Sequence, residues 1–464
     1  MIPVLSLLML LLVSSQAFAA KPSLKAGLNN EMLSNLKDMS VKKISNKMKD
    51  IHLPDLVQDL TIAQLKATNI IMHIDPFGPK QVSMQLIPSD GQIGIKGNSL
   101  SLRGDMNLEI KTFLGTFNCK GFMNATGAGF DSRVTLLQNG TRLSVKVISV
   151  TLALLKENVN ITIKGDVIGS VLDVVAKYFK DYFFANIVKM MGEMLPDMLS
   201  LAFNDVLGEL PDDVPVNPDL AIKFAFTSAP TLKTEYMVAS VLAYLHLKSN
   251  PNPPAETPPD MPDLDPNCHK GLQVFFSDYI VRSAVDSVFS TKMMTFAKSF
   301  KVLGFKVDLK CDVKDKPKVK FNGSIAMDAG AECTGDFKWS FIKFKLKFII
   351  GFSTILNEWI NKSVMKFNVL KLVITTLKII SGKELDMKKL LDMLNLFIED
   401  FRGQINKQLE SKGIPIPVLK NYDFSDVEQK LVGQCIFMCG TLKPKSVGDN
   451  KSYYLVDPTS IVEA

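Results

Sequence analysis

The stretch NPNPPAETPPDMPDLDPN, residues 250–267, sets the tightest limit on how this chain folds. Each proline between Pro251 and Pro266 fixes its own backbone angle, removes a donor and restricts the residue before it. Neither a helix nor a central strand runs through such a segment. It predicts an extended, semi-rigid spacer. On either side lie residues 20–249 and 268–464, halves of nearly equal length. Near-equal halves raise the expectation of an internal repeat.

The halves read alike. Each opens on an expected amphipathic helix. In the first, Leu33, Leu36, Ile44, Met48 and Ile51 fall near helical spacing; in the second, Leu272, Phe276, Ile280, Ala284 and Val288 recur every fourth residue. Strands follow. Ile93, Ile95, Leu100, Leu102, Met106, Leu108 and Ile110 alternate with polar or small residues, the mark of a sheet wet on one face. Asn139-Gly140, between Val134 and Leu136 on one side and Leu143, Val145 and Val147 on the other, predicts a hairpin. Phe305, Val307, Leu309, Cys311 and Val313 repeat the alternation, and the phase of KWSFIKFKLKFII slips near Ile342 as a bulge would make it. A second long helix is expected in each half. Val171, Val175, Phe179, Phe183, Ile187 and Met191 step by four; Leu390, Leu394, Phe397, Phe401, Ile405 and Leu409 step by three or four. Proline exits echo one another at Val214-Pro215-Val216 and Ile416-Pro417-Val418. The expected fold class is α+β: two similar domains, each a strongly twisted antiparallel sheet with two long helices.

Leu7–Val13 is an unbroken apolar run followed by Ala17-Phe18-Ala19, so residues 1–19 read as a cleaved secretory signal. The expected localisation is secreted and extracellular. Asn-x-Ser/Thr sequons at Asn124, Asn139, Asn160, Asn322, Asn361 and Asn450 fit that route as glycosylation candidates. Of the 6 cysteines, Cys119 is alone in its half. Cys268, Cys311, Cys333, Cys435 and Cys439 are the disulfide candidates, with connectivity open. Cys435 and Cys439 are spaced CxxxC rather than CxxC, so no metal site is expected. The net charge of +7 over 464 residues is too mild to indicate nucleic acid. His52, His73, His246 and His269 form no HExxH or HxH motif, and no nucleophile elbow or phosphate-binding glycine loop appears. No catalytic residue and no cofactor is expected.

MKDIHLPDLVQDL, LQVFFSDYIVRSAVDSVF and QLESKGIPIPVLKNYDFSDVEQKL, in that order around a proline-rich linker, resemble the family of bactericidal/permeability-increasing protein, lipopolysaccharide-binding protein and the phospholipid and cholesteryl ester transfer proteins. The resemblance runs from about residue 25 to about residue 445. It implies a boomerang of two tubular lipid-binding domains, each a twisted barrel closed by its long helices, with a central sheet where the halves meet. It implies lipids, phospholipid first, as partners, with lipopolysaccharide or a membrane surface as alternatives.

The helical phase then proposes lining residues: Leu36, Ile44, Met48, Val171, Phe179, Phe183 and Ile187 in the first tube; Phe276, Ile280, Leu394, Phe397 and Phe401 in the second. Two features depart from the family's pattern. The second helix of the first half, within Asp166–Leu210, has no cysteine to match the disulfide usual there. The stretches corresponding to the cationic tip of the endotoxin binders hold Asp55, Asp59, Asp105 and Glu109 against Arg103 and Lys111. A polyanionic phosphate finds little to pair with there. The expectation is a non-enzymatic secreted lipid carrier or transfer protein. An innate-immune binder of bacterial lipopolysaccharide is the runner-up, and a secreted lipid hydrolase is the rival of another class. The oligomeric state is left open.

Overall fold

The computed structural model describes residues 20–59, 63–165, 169–208, 212–216, 218–233, 235–290, 295–302, 305–339, 342–361, 364–382 and 422–444, the strand Ile414–Pro415, and scattered helical positions between 388 and 407. The leader 1–19, Asn450 and the prolyl exit at 416–418 lie outside the described residues. The chain divides into two compact units. One comprises Leu28–Pro211 and Ala229–Val238. The other takes the chain up to Gly27, Asp212–Ser228 and everything from Ala239 onward. The boundary between units therefore does not coincide with the spacer. Strands Leu220–Phe226 and Met237–Leu247, from before the spacer, share a sheet with Leu272–Ser277 and Cys435–Pro444, from after it.

In the first unit an eight-stranded antiparallel sheet carries two helices, α1 (Asn30–Lys47) and α2 (Gly169–Gly208). Asn29 caps α1 by accepting from the Met32 N–H at 3.0 Å. The helix closes on a bond from the Met48 N–H to the Ile44 carbonyl. Met48 is thus the cap, and Ile51 belongs to the strand Asp50–Leu53 rather than to the helix. The alternating run became one strand, Gln92–Thr112, paired with Gly115–Asn139. The hairpin at Gly140 is present, with Gly140 at φ 61° and Val134 opposite Val147. Primed turns of this kind need a positive φ, which glycine adopts without penalty.

The second unit has two sheets. Strands from Thr295–Val302 to Val364–Gly382 form a long antiparallel meander, and the mixed-origin sheet runs from Asp213–Pro215 to Tyr422–Val432. The phase slip near Ile342 is a strand reversal, not a bulge: Trp339 is paired directly with Ile342. The expected helix at 272–288 begins later. Leu272–Ser277 is a strand buried on both faces, and the helix α3 runs Asp278–Ser290. The every-fourth-residue recurrence there was a coincidence of phase. A short apolar run rich in aromatic and β-branched residues equally suits a doubly covered strand.

The expected barrels are not seen among the described residues. Each sheet is an open path with two ends. The molecule covers an edge instead of closing it. On the terminal strand Arg142–Ala153, the Val145 N–H donates to Asn204 Oδ1 at 2.6 Å and Asn204 Nδ2 donates to the Val145 carbonyl at 2.9 Å. One turn earlier on α2, Ser200 Oγ accepts from the Val147 N–H at 3.0 Å. The strand Val364–Gly382 receives the same treatment: Asn406 accepts from the Val369 N–H at 2.6 Å and donates to its carbonyl at 3.1 Å, while Arg402 reaches the Leu370 carbonyl at 2.9 Å. An uncovered edge is a template for unwanted pairing, and side-chain clamps remove it.

Two disulfides form, Cys268–Cys439 and Cys311–Cys333. The latter joins directly opposed residues of neighbouring strands. Cys435, expected to pair, does not: its strand neighbour Cys439 is taken by Cys268, and Cys435 Sγ lies buried 3.9 Å from Met261 Sδ. Burial pushes its thiol up to about 11, with the Asp278 carboxylate adding to the effect.

Residues 251–265 of the proline-rich segment enter neither helix nor strand, as their composition requires, and the segment does not hang free. Lys21 holds Asp260 at 2.7 Å, Lys430 holds Asp265 at 2.7 Å, and Arg282 and Lys316 hold Glu256 at 2.6 and 3.1 Å. Lys25 donates to the Pro262 carbonyl at 2.7 Å and the Tyr244 hydroxyl to the Pro251 carbonyl at 2.9 Å. Met261 and Leu264 pack against the Cys268, Phe275 and Phe437 cluster. The acids between the prolines are therefore attachment points. Carbonyls without a ladder partner are met by lysine and tyrosine donors.

Candidate lipid-binding interior

In the first unit α1 and α2 lie over the inner face of the sheet. Along α2, Phe183, Ile187, Met191, Leu195 and Leu199 form one buried stripe, stepping by four. From α1, Leu33, Val41, Ile44 and Met48 join the same cluster, and alternate sheet residues such as Leu65, Met72, Leu102 and Met123 complete it. Of the proposed lining residues, Ile44, Met48, Phe183 and Ile187 thus meet in one apolar interior. Leu36, Val171 and Phe179 fall within α1 and α2, but their side chains lie outside the described residues. In the second unit Leu394 is buried with Phe348, Val369 and Ile398. Phe397 and Phe401 lie outside the described residues. Phe276 and Ile280 are buried, one in a strand and the other in α3. The single helical face that selected those two does not exist.

The helix α2 is apolar beyond its buried stripe. Phe184, Met190, Met194, Met198, Phe203 and Leu207 are only partly buried against the core, and Leu201 stands 68% exposed. A helix apolar over most of its circumference is normally covered all round. Here one stripe is fully covered by protein and the neighbouring one only half. Methionine suits such a surface, being unbranched and polarisable and so able to follow a ligand of variable shape. The sequence shows the step of four through Met191; that it continues to Leu199, and that the Met190–Met194–Met198 stripe stays half open, required the packing.

Exposed apolar groups also occur at the turn between the two longest strands, where Phe113 is 90% and Leu114 54% exposed. The basic residues near the expected tip are already matched: Lys111 pairs with Glu109 at 3.1 Å and Arg103 with Asp75 at 2.6 Å. No unpaired cationic cluster results from these two. His246, one of the four histidines that form no motif, is buried between Asp213 at 2.9 Å and the Leu247 carbonyl at 2.8 Å.

These features, an antiparallel sheet with a long apolar helix laid along it, invite comparison with known structures. The crystal structure of a lipopolysaccharide binding protein aligns with a TM-score of 0.55, over 92% of this chain and 100% of that one, at 14% identity. The two chains share a fold. At that identity the likeness shows the fold alone. Takeout 1 of Epiphyas postvittana aligns over 39% of this chain and 91% of its own at 10% identity, with a TM-score of 0.27 that is too low to inform the fold. No family model and no curated protein sequence matches the chain. Among the described residues no helix is long and apolar enough to cross a membrane.

Proposed function

We propose that the protein is a secreted, non-enzymatic lipid carrier, in which each sequence half builds one apolar compartment that shelters lipid tails. The half-covered methionine stripe of α2 carries this reading. It leaves apolar surface beside the core that protein packing does not account for. Each methylene moved from water onto such a surface gains about 0.8 kcal/mol. A long acyl chain is thereby retained without covalent chemistry. The shared fold with a lipopolysaccharide binding protein supports a binding role, and the two disulfides support an oxidising, extracellular route. Phospholipid is the favoured ligand, and transfer between membranes is the activity that such a carrier would perform.

The test is extraction and mass spectrometry of lipids from the purified native protein, beside the variant Met194→Asp. Met194 is only partly buried, so the carboxylate reaches water while spoiling the apolar stripe. Bound lipid in the parent and its loss in a folded Met194→Asp protein support the reading; a lipid-free native protein sinks it. Phe183→Asp is the contrasting case. Phe183 is 0% exposed, so an unpaired charge there prevents folding rather than emptying a pocket. Endotoxin pull-down across salt separates the lipopolysaccharide reading, because charge-led recognition weakens steeply as salt rises. Labelled phospholipid released as fatty acid would favour the hydrolase.

A further inference from the structure

At one end of the second unit's meander the pairing register lines up four lysines. Lys301 stands directly opposite Lys306, Lys306 opposite Lys338, and Lys338 opposite Lys343. They lie on four neighbouring strands, Thr295–Val302, Phe305–Val313, Ile325–Trp339 and Ile342–Asn361. All four side chains are exposed. At about 4.8 Å between strands the row spans roughly 14 Å. In the sequence the four are the outer residues of KVLGFK and KWSFIK, and only strand pairing brings the two segments together.

Among the described residues only Lys338 of the row has a carboxylate partner, Asp308 Oδ2 at 2.8 Å. Asp336, opposite Asp308, goes to Lys345 at 3.6 Å. Lys301, Lys306 and Lys343 make no salt bridge among the described residues. Like charges directly opposed across strands repel one another. Lysine on a sheet edge guards against unwanted pairing. That role covers Lys301, on the terminal strand, but the strands of the other three are paired on both sides. Because the row runs across the strands, its four lysines sit at one distance from the end of the sheet. One position further out the strands end on Val302, Phe305, Trp339 and Ile342, with Val302 opposite Phe305 and Trp339 opposite Ile342. The sheet thus ends on an apolar rank with a basic rank directly behind it.

We propose that this end of the meander docks the protein on an anionic phospholipid membrane, with Lys301, Lys306 and Lys343 each meeting a separate lipid headgroup. A flat surface that the strands meet end-on reaches both ranks at once. An anionic bilayer presents that profile: negative charge spread over a plane that attracts lysine, and a headgroup layer that favours tryptophan and apolar side chains. A soluble polyanion has a use for the lysines and none for the apolar rank. No single anion has to bridge the row. The inference does not rest on a lipid-filled interior, since an empty protein docks as well; a native protein free of lipid that still binds vesicles leaves it standing.

The test sediments the full chain with vesicles of phosphatidylcholine alone and of phosphatidylcholine with phosphatidylserine. The protein should pellet with the second kind only, and less of it as salt rises. One lysine near such a surface contributes about fivefold in partitioning. Lys301→Gln, Lys306→Gln and Lys343→Gln together should therefore lower binding roughly a hundredfold. These side chains are exposed and repel one another, so the triple variant should unfold at no lower a temperature than the parent. Lys66→Gln with Lys120→Gln and Lys146→Gln removes the same charge from exposed positions of the first unit and should bind as the parent does. Equal loss in that control would show a response to net charge alone and overturn the proposal. So would equal pelleting with both kinds of vesicle, no pelleting with either, or binding untouched by the first triple. Binding to heparin without binding to vesicles would assign the row to a soluble polyanion and overturn it as well.

Discussion

Removing the amide of Asn204 tests whether α2 holds the sheet edge or merely lies beside it. Asn204 makes two bonds to Val145, at 2.6 and 2.9 Å, engaging both its N–H and its carbonyl. Val145 is 8% exposed, so Asn204→Ala leaves two backbone groups nearly cut off from water. Each buried group left unmade costs about 1–3 kcal/mol. Because the strand is terminal and water enters as it loosens, the low end applies, and about 2 kcal/mol is expected for the pair. That corresponds to roughly thirtyfold faster local exchange at the Val145 amide. Hydrogen exchange read on peptides from 142–153 provides the assay. Asn204→Asp keeps an acceptor for the N–H and loses the donor to the carbonyl, so it should fall between parent and alanine. Peptides from Leu272–Ser277, in the other unit, should not change. Unaltered exchange at Val145 in a folded Asn204→Ala protein would refute the clamp. Equal acceleration everywhere would show global destabilisation instead.

Three further outcomes follow from the same structure. Replacing Cys311 and Cys333 together by alanine opens a loop of 22 residues, for which chain entropy predicts a loss of about 3 kcal/mol, read as a lower denaturation midpoint under non-reducing conditions. Lysine contacts hold the Asp260 and Asp265 carboxyls below their usual range, through Lys21 and through Lys430; carboxyls lowered in this way stabilise fully above the ordinary value near 3.8 and lose that contribution as pH falls through their lower folded values. Proteolysis of the 250–267 segment should therefore stay flat from neutral pH down to about 5 and rise only below about 4, whereas release near pH 6 would implicate a histidine instead. Finally, Asn124 and Asn160 are exposed and directly opposed on neighbouring strands, where side chains lie about 5 Å apart. Glycopeptide analysis should find either sequon occupied but no molecule carrying glycans on both.

Much of this molecule is legible without coordinates wherever one local rule dominates. Period-two alternation located Gln92–Thr112, a glycine turn located the hairpin at Gly140, and a step of four located α2, because burial of one face imposes those periods on the residues themselves. Proline content alone kept residues 251–265 out of helix and strand. Local pattern failed where two periods fit equally: Leu272–Val288 scans as one helix but is a strand followed by a helix, and the slip at Ile342 is a reversal.

Pairing between distant residues was invisible to pattern altogether. That Cys439 takes Cys268 and leaves Cys435 reduced, that Asn204 and Asn406 both grip a strand edge, and that the acids of the spacer are anchored by lysines and an arginine from far along the chain were decided by the tertiary structure. So was the meeting of His73 with Asp50 on one side and Asp105 on the other. Periodicity records which face of an element is dry. It carries no information about which other element supplies the partner, since register and sheet order depend on contacts between residues tens to hundreds of positions apart.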